Sequence, residues 1–243
     1  MPIPRIATPL AALTLVTAAP IARADADADA LADAPAAARA ELATHHDEVS
    51  LGATARALRS PSANALTGAN LAGMSLGIAR DLGHDLGISP APGLTLWAEA
   101  GLVTGSADGT MFQSLSTSID ELGLTAGLAA RYRLHRRITA GARVALGAQR
   151  VRAAITDRSG TAYDHGWGAM ASATAALDLF LLTPPRFGLG LRLEAGYVAA
   201  QGIALTPHTD RPDGAISLAM TELSLGHLDL SGPTAAVSLL GQF

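Results

Sequence analysis

Two groups of residues carry the side chains of a hydrolytic triad: a nucleophilic hydroxyl, an imidazole and a carboxylate. They are Asp164, His165 and Ser172, and His227, Asp229 and Ser231. In a triad the imidazole takes the serine proton and the carboxylate orients the imidazole. Neither group stands in a local nucleophile motif such as G-x-S-x-G, and Asp and Ser are ordinary turn residues. We therefore predict loop residues at both places and no enzymatic activity.

Metal and phosphate chemistry receive no better support from the sequence. His45, His46 and Asp47 are adjacent, and adjacent residues do not converge on one ion unless the fold brings further ligands. Gly188, Gly190 and Gly196 lie in a strand-like segment with no helix after it, so they do not form a phosphate cradle. We predict no metal and no cofactor.

Composition excludes several partners and fold classes. The 243 residues include 17 basic residues, all of them Arg, and 21 acidic ones, which gives a net charge of −4. No basic tract marks a nucleic-acid surface. The chain has no Cys, and hydrophobic residues make up 49% of it, which excludes a disulfide scaffold and a disordered chain.

The first 46 residues predict export. Residues 1–24 combine Arg5, an apolar run over 6–19 and the A-x-A site Ala22-Arg23-Ala24, the pattern of a secretory signal peptide. Residues 25–46 are rich in Ala and Asp and have no face to bury, which indicates a low-complexity periplasmic leader. The folded domain is therefore expected at 47–243.

From Asp47 onward the hydrophobic pattern has period two, the spacing of a β-strand. Over 187–199 every odd-numbered residue is apolar, while the even-numbered residues include glycines, Arg192 and Glu194. The segments at 122–130 and 138–147 alternate in the same way. Ala-rich stretches leave a helical bundle as the rival class, but each Gly inside a helix costs roughly 1 kcal/mol relative to Ala.

The alternation also distinguishes a membrane barrel from a soluble sandwich. One face of each strand carries Leu, Val, Ile and Ala, and the other carries Gly, Ser, Thr and single charges. The apolar face is suited to contact with lipid. Only helices and closed barrels satisfy all backbone groups in a bilayer, and no run of 18 apolar residues provides a helix. We predict an all-β protein, a closed antiparallel up-and-down transmembrane β-barrel.

We predict eight strands, because exported barrels have an even number. This number places the two short turns, 134–137 and 183–186, in the periplasm. The predicted strands are 47–59, 70–82, 93–104, 119–133, 136–152, 167–182, 187–204 and 228–243. The connections 60–69, 105–118, 153–166 and 205–227 then face outward, and protease should cut the last one near Arg211. In the alternative register the first strand is dropped and 216–225 becomes a strand; a ten-stranded barrel also stays open.

The last strand carries a resemblance to a known family. Val237, Leu239 and the terminal Phe243 alternate on one face. This resembles the C-terminal assembly signal of bacterial outer-membrane β-barrels, and the architecture over 47–243 is similar to that of the small OmpA-type and OmpX-type proteins. The resemblance implies an outer-membrane location, contact with outer-membrane lipid and recognition by the barrel-assembly machinery.

The charges on the small-residue face predict an ion network in the lumen. This set is Arg56, Glu99, Arg143, Arg192 and Glu194, with Asp178, Arg131 and Arg133 as a second group towards the periplasm and Glu121 towards the outside. Five aromatic residues are expected to form the interfacial girdles: Trp97, Tyr132, Trp167, Phe187 and Tyr197.

An eight-stranded barrel is just wide enough for its own side chains, so we expect a plugged lumen. The expected function is a structural or surface-binding role through the external loops. A barrel enzyme acting on outer-membrane lipid and a narrow solute channel are the alternatives.

Overall fold

The computed structural model describes residues 46–68, 70–87, 91–111, 115–156, 160–182, 187–208 and 225–243. The predicted signal peptide at 1–24 and all but the last residue of the predicted leader lie outside the described residues. The same holds for the protease site at Arg211 and for 216–224 of the surplus segment.

Eight long strands form a closed antiparallel barrel. In chain order the elements are β1 (Asp47–Ala57), α1 (Pro61–Thr67), β2 (Asn70–Asp81), α2 (Leu82–Leu86), β3 (Leu94–Met111), β4 (Leu115–His135), β5 (Ile138–Thr156), β6 (Thr161–Leu182), β7 (Gly188–Ala200), β8 (Ile203–Ala204), β9 (His227–Leu228) and β10 (Gly232–Gln242). The order around the barrel is β1-β10-β7-β6-β5-β4-β3-β2, and β8 pairs with β9 in a separate two-stranded sheet. The predicted fold class and strand number are confirmed.

The two ends of the barrel differ. At the turn end, β4 and β5 are joined by residues 136–137 alone. At the loop end, β7 and β10 are joined by the long connection 201–231, which contains β8 and β9. Among the described residues, no helix is long and apolar enough to cross a membrane.

Two of the predicted outer loops are wrong, because much of 105–118 and of 153–166 is strand. β3 continues to Met111 paired with β4, and β5 continues to Thr156 paired with β6. Their Asp, Ser and Gly residues resemble turn residues in sequence. They form strands because each has a cross-strand partner and because the inner face of these extensions is covered.

Apolar residues cover this inner face and define what we call the loop-end plug. The plug comprises Leu58, Ala63, Leu66, Leu71, Ala107, Ile119, Val151, Ala153, Ile203, Leu205, Leu228 and Leu230. α1 lies against β3 and β4, where the Thr117 hydroxyl donates a hydrogen bond to the Leu66 carbonyl. α1 ends at Gly68, whose φ of 68° is left-handed and favours glycine. Its side chains pack together between the extended strands.

Candidate functional site

The outer wall of the barrel is apolar. Among the described residues, its exposed large side chains include Val49, Leu51, Met74, Leu76, Ile78, Leu122, Leu124, Leu128, Val144, Leu146, Leu193, Val237 and Leu239. Leu146 at the middle of β5 is 71% exposed. A soluble protein rarely exposes so large a continuous apolar surface. A closed barrel with such a wall spans a membrane, because lipid is the solvent that such a surface requires.

The inner wall holds a cluster of buried charges that we call the lumenal ion network. Its members are Glu48, Glu99, Arg131, Arg143, Asp178, Arg192 and Glu194. They come from six strands, β1, β3, β4, β5, β6 and β7. Strand alternation directs all of them inward, and the narrow barrel brings them within contact distance.

Glu48 is the centre of the network. Arg131 donates two hydrogen bonds to its carboxylate, at 2.7 and 3.0 Å, and Arg192 lies 2.9 Å from its Oε1 atom. The amide of Gln242 donates a further hydrogen bond at 2.9 Å. Glu48 is only 2% exposed. A carboxylate that would be costly to bury alone is thus compensated by two guanidinium groups.

Arg192 and Arg131 each bridge two carboxylates. Arg192 donates to both oxygens of Asp178, at 2.6 and 2.8 Å, the bidentate geometry that the planar guanidinium fork permits. Arg131 also donates to Glu99 at 2.6 Å. The network therefore ties strands together across the lumen and does more than join neighbours.

Arg143 extends the network on the other side of Glu99. Its Nε atom lies 2.7 Å from Glu99 Oε2, and its Nη1 atom lies 3.9 Å from Glu194 Oε2. Arg143 is partly exposed, whereas Glu99 is buried. This part of the network borders a cavity.

Arg56 and Glu121 form a separate pair. Arg56 donates to Glu121 at 3.1 Å and to the carbonyl of Leu230 at 3.3 Å. Both side chains are buried, and Leu230 belongs to the loop-end plug. This pair connects β1 and β4 next to the loop-end plug, whereas the lumenal ion network lies closer to the turn end.

The structure directs the predicted lumenal residues inward and groups some of them differently from the sequence prediction. Arg131 and Asp178 join Glu99, Arg143, Arg192 and Glu194, whereas Arg56 pairs with Glu121 instead. Arg133 is exposed at the turn end of β4. Sequence reasoning missed Glu48, although its even number on β1 gives it the same face as Arg56.

Trp97 contradicts the predicted girdle. It is buried, the Arg131 guanidinium lies 4.4 Å from its ring centroid, and its indole N–H donates to Thr95 at 2.9 Å. Its odd number on β3 places it on the face of Glu99, which is inward. The other four residues, Tyr132, Trp167, Phe187 and Tyr197, are exposed.

Between the ion network and the plug lies a lumenal cavity of about 100 Å³. Hydroxyl groups of Ser50, Thr54, Thr125, Ser172 and Thr174 contribute to its lining. Arg56, Glu99, Glu121, Arg143 and Arg192 also border it. A cavity of this size accommodates a few water molecules, and its polar lining suits water.

The structure does not assemble either hydrolytic group. His165 is exposed on the outward face of β6, whereas Ser172 lines the lumenal cavity. Asp164 accepts the backbone N–H groups of His165 and Thr206. In the second group Asp229 accepts a hydrogen bond from the Ser231 hydroxyl at 2.5 Å, and the contact of His227 with Ser62 uses the His227 backbone carbonyl. The prediction of loop residues is wrong for the first group, because Asp164 and His165 lie in β6 and pair with β5. Asp229 and Ser231 lie in the short connection between β9 and β10.

The C-terminal strand presents its odd-numbered residues outward. Val237, Leu239 and Phe243 are each more than half exposed, and the Phe243 backbone carbonyl accepts hydrogen bonds from His46 and Asp47 at 3.1 Å. β10 pairs with β1 over Glu48 to Arg56 and closes the barrel. The alternating outward side chains of this strand are therefore available to a partner that approaches from the membrane side.

No protein-family model and no curated protein matches the chain. Among solved structures it is similar to Ail, the attachment invasion locus protein of Yersinia pestis, with a TM-score of 0.43 and 11% identity over 82% of this chain and 97% of that one. It is also similar to the translocator domain of the autotransporter NalP from Neisseria meningitidis, with a TM-score of 0.34 and 12% identity over 90% of this chain and 97% of that one. These likenesses concern the fold alone.

Proposed function

We propose that the protein is an outer-membrane barrel with a closed lumen, which has a structural or surface-binding role through its loop end. The observation that carries the proposal is the separation of side chains by face. On β5, for example, the outward residues from Ile138 to Ala148 carry no charge, while seven charged side chains from six strands meet inside the barrel. This is the arrangement of a protein surrounded by lipid.

Two layers support the closed lumen. The lumenal ion network crosses the barrel towards the turn end, and the loop-end plug fills the opposite end with buried apolar side chains. The cavity between them is small. We therefore expect no steady ion conductance in planar bilayers. A stable open channel with the wild-type protein would contradict this part of the proposal and favour the solute channel.

The loop end projects beyond the apolar outer wall, and it is the surface we propose for an external ligand. The extended strands β3 to β6 form the wall of the loop end, and residues of α1, β8 and β9 pack against the inner face of this wall. The outer-membrane lipid and the barrel-assembly machinery are the other proposed partners, the latter through the exposed Val237, Leu239 and Phe243 of the last strand.

Single cysteines test the orientation directly, because the chain has no native Cys. Asp108→Cys places a thiol on the exposed loop end of β3, and Asp85→Cys places one at the turn end in α2. On intact cells a membrane-impermeant maleimide should label the first and not the second, and both should react after the outer membrane is permeabilised. Labelling of Asp85→Cys alone on intact cells would reverse the barrel. Labelling of both in a soluble fraction would refute the membrane location.

A further inference from the structure

We propose that Arg150 and Arg152 on the outer wall of β5 bind the phosphate groups of a phosphorylated glycolipid in the leaflet at the loop end. The inference rests on the proposed function, because it requires the barrel to be inserted in a membrane. It adds a binding site on the lipid-facing wall, away from the lumenal ion network and the loop-end plug.

The position of the two arginines on β5 is the first argument. The outward residues of this strand run from Ile138 through Leu146 to Ala148 without a charge, and Arg150 and Arg152 follow directly. The ten steps from Ile138 to Ala148 span about 34 Å along the strand, or about 26 Å across a bilayer at a tilt near 40°. That height matches the apolar thickness of an outer-membrane barrel, about 25 Å. The arginines therefore lie where the headgroups begin.

Aromatic side chains mark the same level. Trp167 on β6 is the cross-strand partner of Arg150 and is 63% exposed. Trp and Tyr are enriched where apolar and polar layers meet, because their rings have an apolar body and a polar edge. Next to this pair, the Arg152 guanidinium lies 4.9 Å from the centroid of the Tyr163 ring. The ring holds one face of the guanidinium and leaves its N–H edge available to a ligand.

The charge of the two arginines is not neutralised by the protein. Within the described ranges, no ion pair or hydrogen bond engages either guanidinium, in contrast to Arg131 and Arg192 in the lumen. Asp120 on β4 is the cross-strand partner of Arg152, but the two side chains form no ion pair. His165 on β6 is the partner of Arg152 on the other side and is exposed. Two arginines beside one carboxylate leave a basic strip.

Phosphate is the ligand that this chemistry favours. A guanidinium presents a planar fork of donors that matches phosphate oxygens in bidentate geometry. The alternation of β5 directs both side chains sideways from the wall, towards the leaflet and not towards the loop tips. A lipid with several phosphates on its headgroup can contact both arginines, which are about 7 Å apart along the strand. A soluble polyanion would have to approach from the solvent above.

The test compares lipid binding by the wild-type barrel and by Arg150→Gln/Arg152→Gln. The matched control is Arg59→Gln/Arg80→Gln, which also removes two exposed arginines but leaves β5 unchanged. Each purified, detergent-folded protein is titrated with diphosphorylated lipid A, with its dephosphorylated form and with phosphatidylglycerol, and bound lipid is counted by native mass spectrometry. Circular dichroism verifies that each variant is folded.

We expect the β5 double variant to bind diphosphorylated lipid A at least about tenfold more weakly than the wild type and the control, since two charge-assisted contacts are lost. Dephosphorylated lipid should not distinguish the proteins. Arg150→Lys/Arg152→Lys, which keeps the charge without the fork, should give an intermediate affinity. If the wild type and the β5 variant bind lipid A equally, the inference is overturned. Equal binding of phosphatidylglycerol and lipid A by the wild type overturns the glycolipid as ligand.

Failure of this inference is distinguishable from failure of the proposed function. A protein that inserts into vesicles and shows the expected cysteine labelling, but has no preference for phosphorylated glycolipid, would retain the proposed function and lose the lipid site. A protein that does not insert at all would lose both.

Discussion

Glu48 at the start of β1 and Arg131 near the end of β4 are joined by two parallel hydrogen bonds across the lumen, at 2.7 and 3.0 Å. Three strand positions separate β1 from β4 around the barrel, so this contact is not a cross-strand neighbour pair. Because Arg192 and Gln242 contact the same carboxylate, four strands meet at one acidic side chain. The outer face of the barrel is apolar, and its buried ion pairs lie on the inner face.

Glu48→Gln should lower the stability of the detergent-folded barrel more than any exposed carboxylate-to-amide change. The substitution keeps the shape but leaves Arg131 and Arg192 buried with one carboxylate fewer. Breaking a buried ion pair costs about 3–5 kcal/mol. Thermal unfolding followed by circular dichroism measures the effect. Asp85→Asn, which weakens the exposed pair of Asp85 with Arg80, is the matched control and should change Tm little. Equal shifts would refute the central role of Glu48.

Arg192→Ala should lower the unfolding temperature more than Leu191→Ala, its neighbour on the lipid-facing side. Loss of Arg192 removes the bidentate partner of Asp178, which is 2% exposed. That buried carboxylate is then uncompensated. Leu191 is partly buried on the outer wall, and its substitution leaves no buried charge without a partner. A larger effect of the Leu191 substitution would mean that the lumenal contacts do not control stability.

Val144→Arg tests the burial of the outer wall in lipid. Val144 is 56% exposed and lies near the middle of the uncharged outward run from Ile138 to Ala148, and a basic residue at the bilayer midplane costs a barrel about 2–4 kcal/mol. The free energy of folding into vesicles should fall by that amount. Asp108→Arg, on the exposed loop end of β3, is the control and should have little effect. If Val144→Arg folds into vesicles as readily as the wild type, Val144 does not face the bilayer centre.

Gly109→Ala should loosen the contact between α1 and the extended strands. A Cβ atom at Gly109 would overlap the backbone of Leu66 and Thr67, so α1 would have to move away from β3. Forced overpacking typically costs about 1–3 kcal/mol. Limited proteolysis at the loop end should then be faster than in the wild type. Gly160→Ala, where an added Cβ would have no heavy atom of the described residues within 4 Å, is the control. Unchanged proteolysis in Gly109→Ala would show that α1 does not depend on this close approach.

Much of the candidate site follows from the alternation of single strands. The parity of Arg143 and Arg192 relative to the apolar residues beside them predicts which face each occupies, because successive side chains point to opposite sides of a strand. The same alternation places Glu48 with Arg56 and Trp97 with Glu99. The inward position of Glu48 and of Trp97 is therefore local information that the sequence contains.

The sequence alone determined the fold class of the protein, because segments of period two with one apolar face are compatible with few folds other than a membrane barrel. Only the tertiary structure decided which inward residues meet. The tilt and stagger of the closed sheet set the height of each residue in the lumen, so Arg56 meets Glu121 and the loop-end plug while Glu48 meets Arg131. The tertiary structure also decided that 105–111 and 153–156 are strand, because α1 and the 201–208 segment cover the inner face of those extensions. Contacts between residues distant in the chain have no local sequence signal.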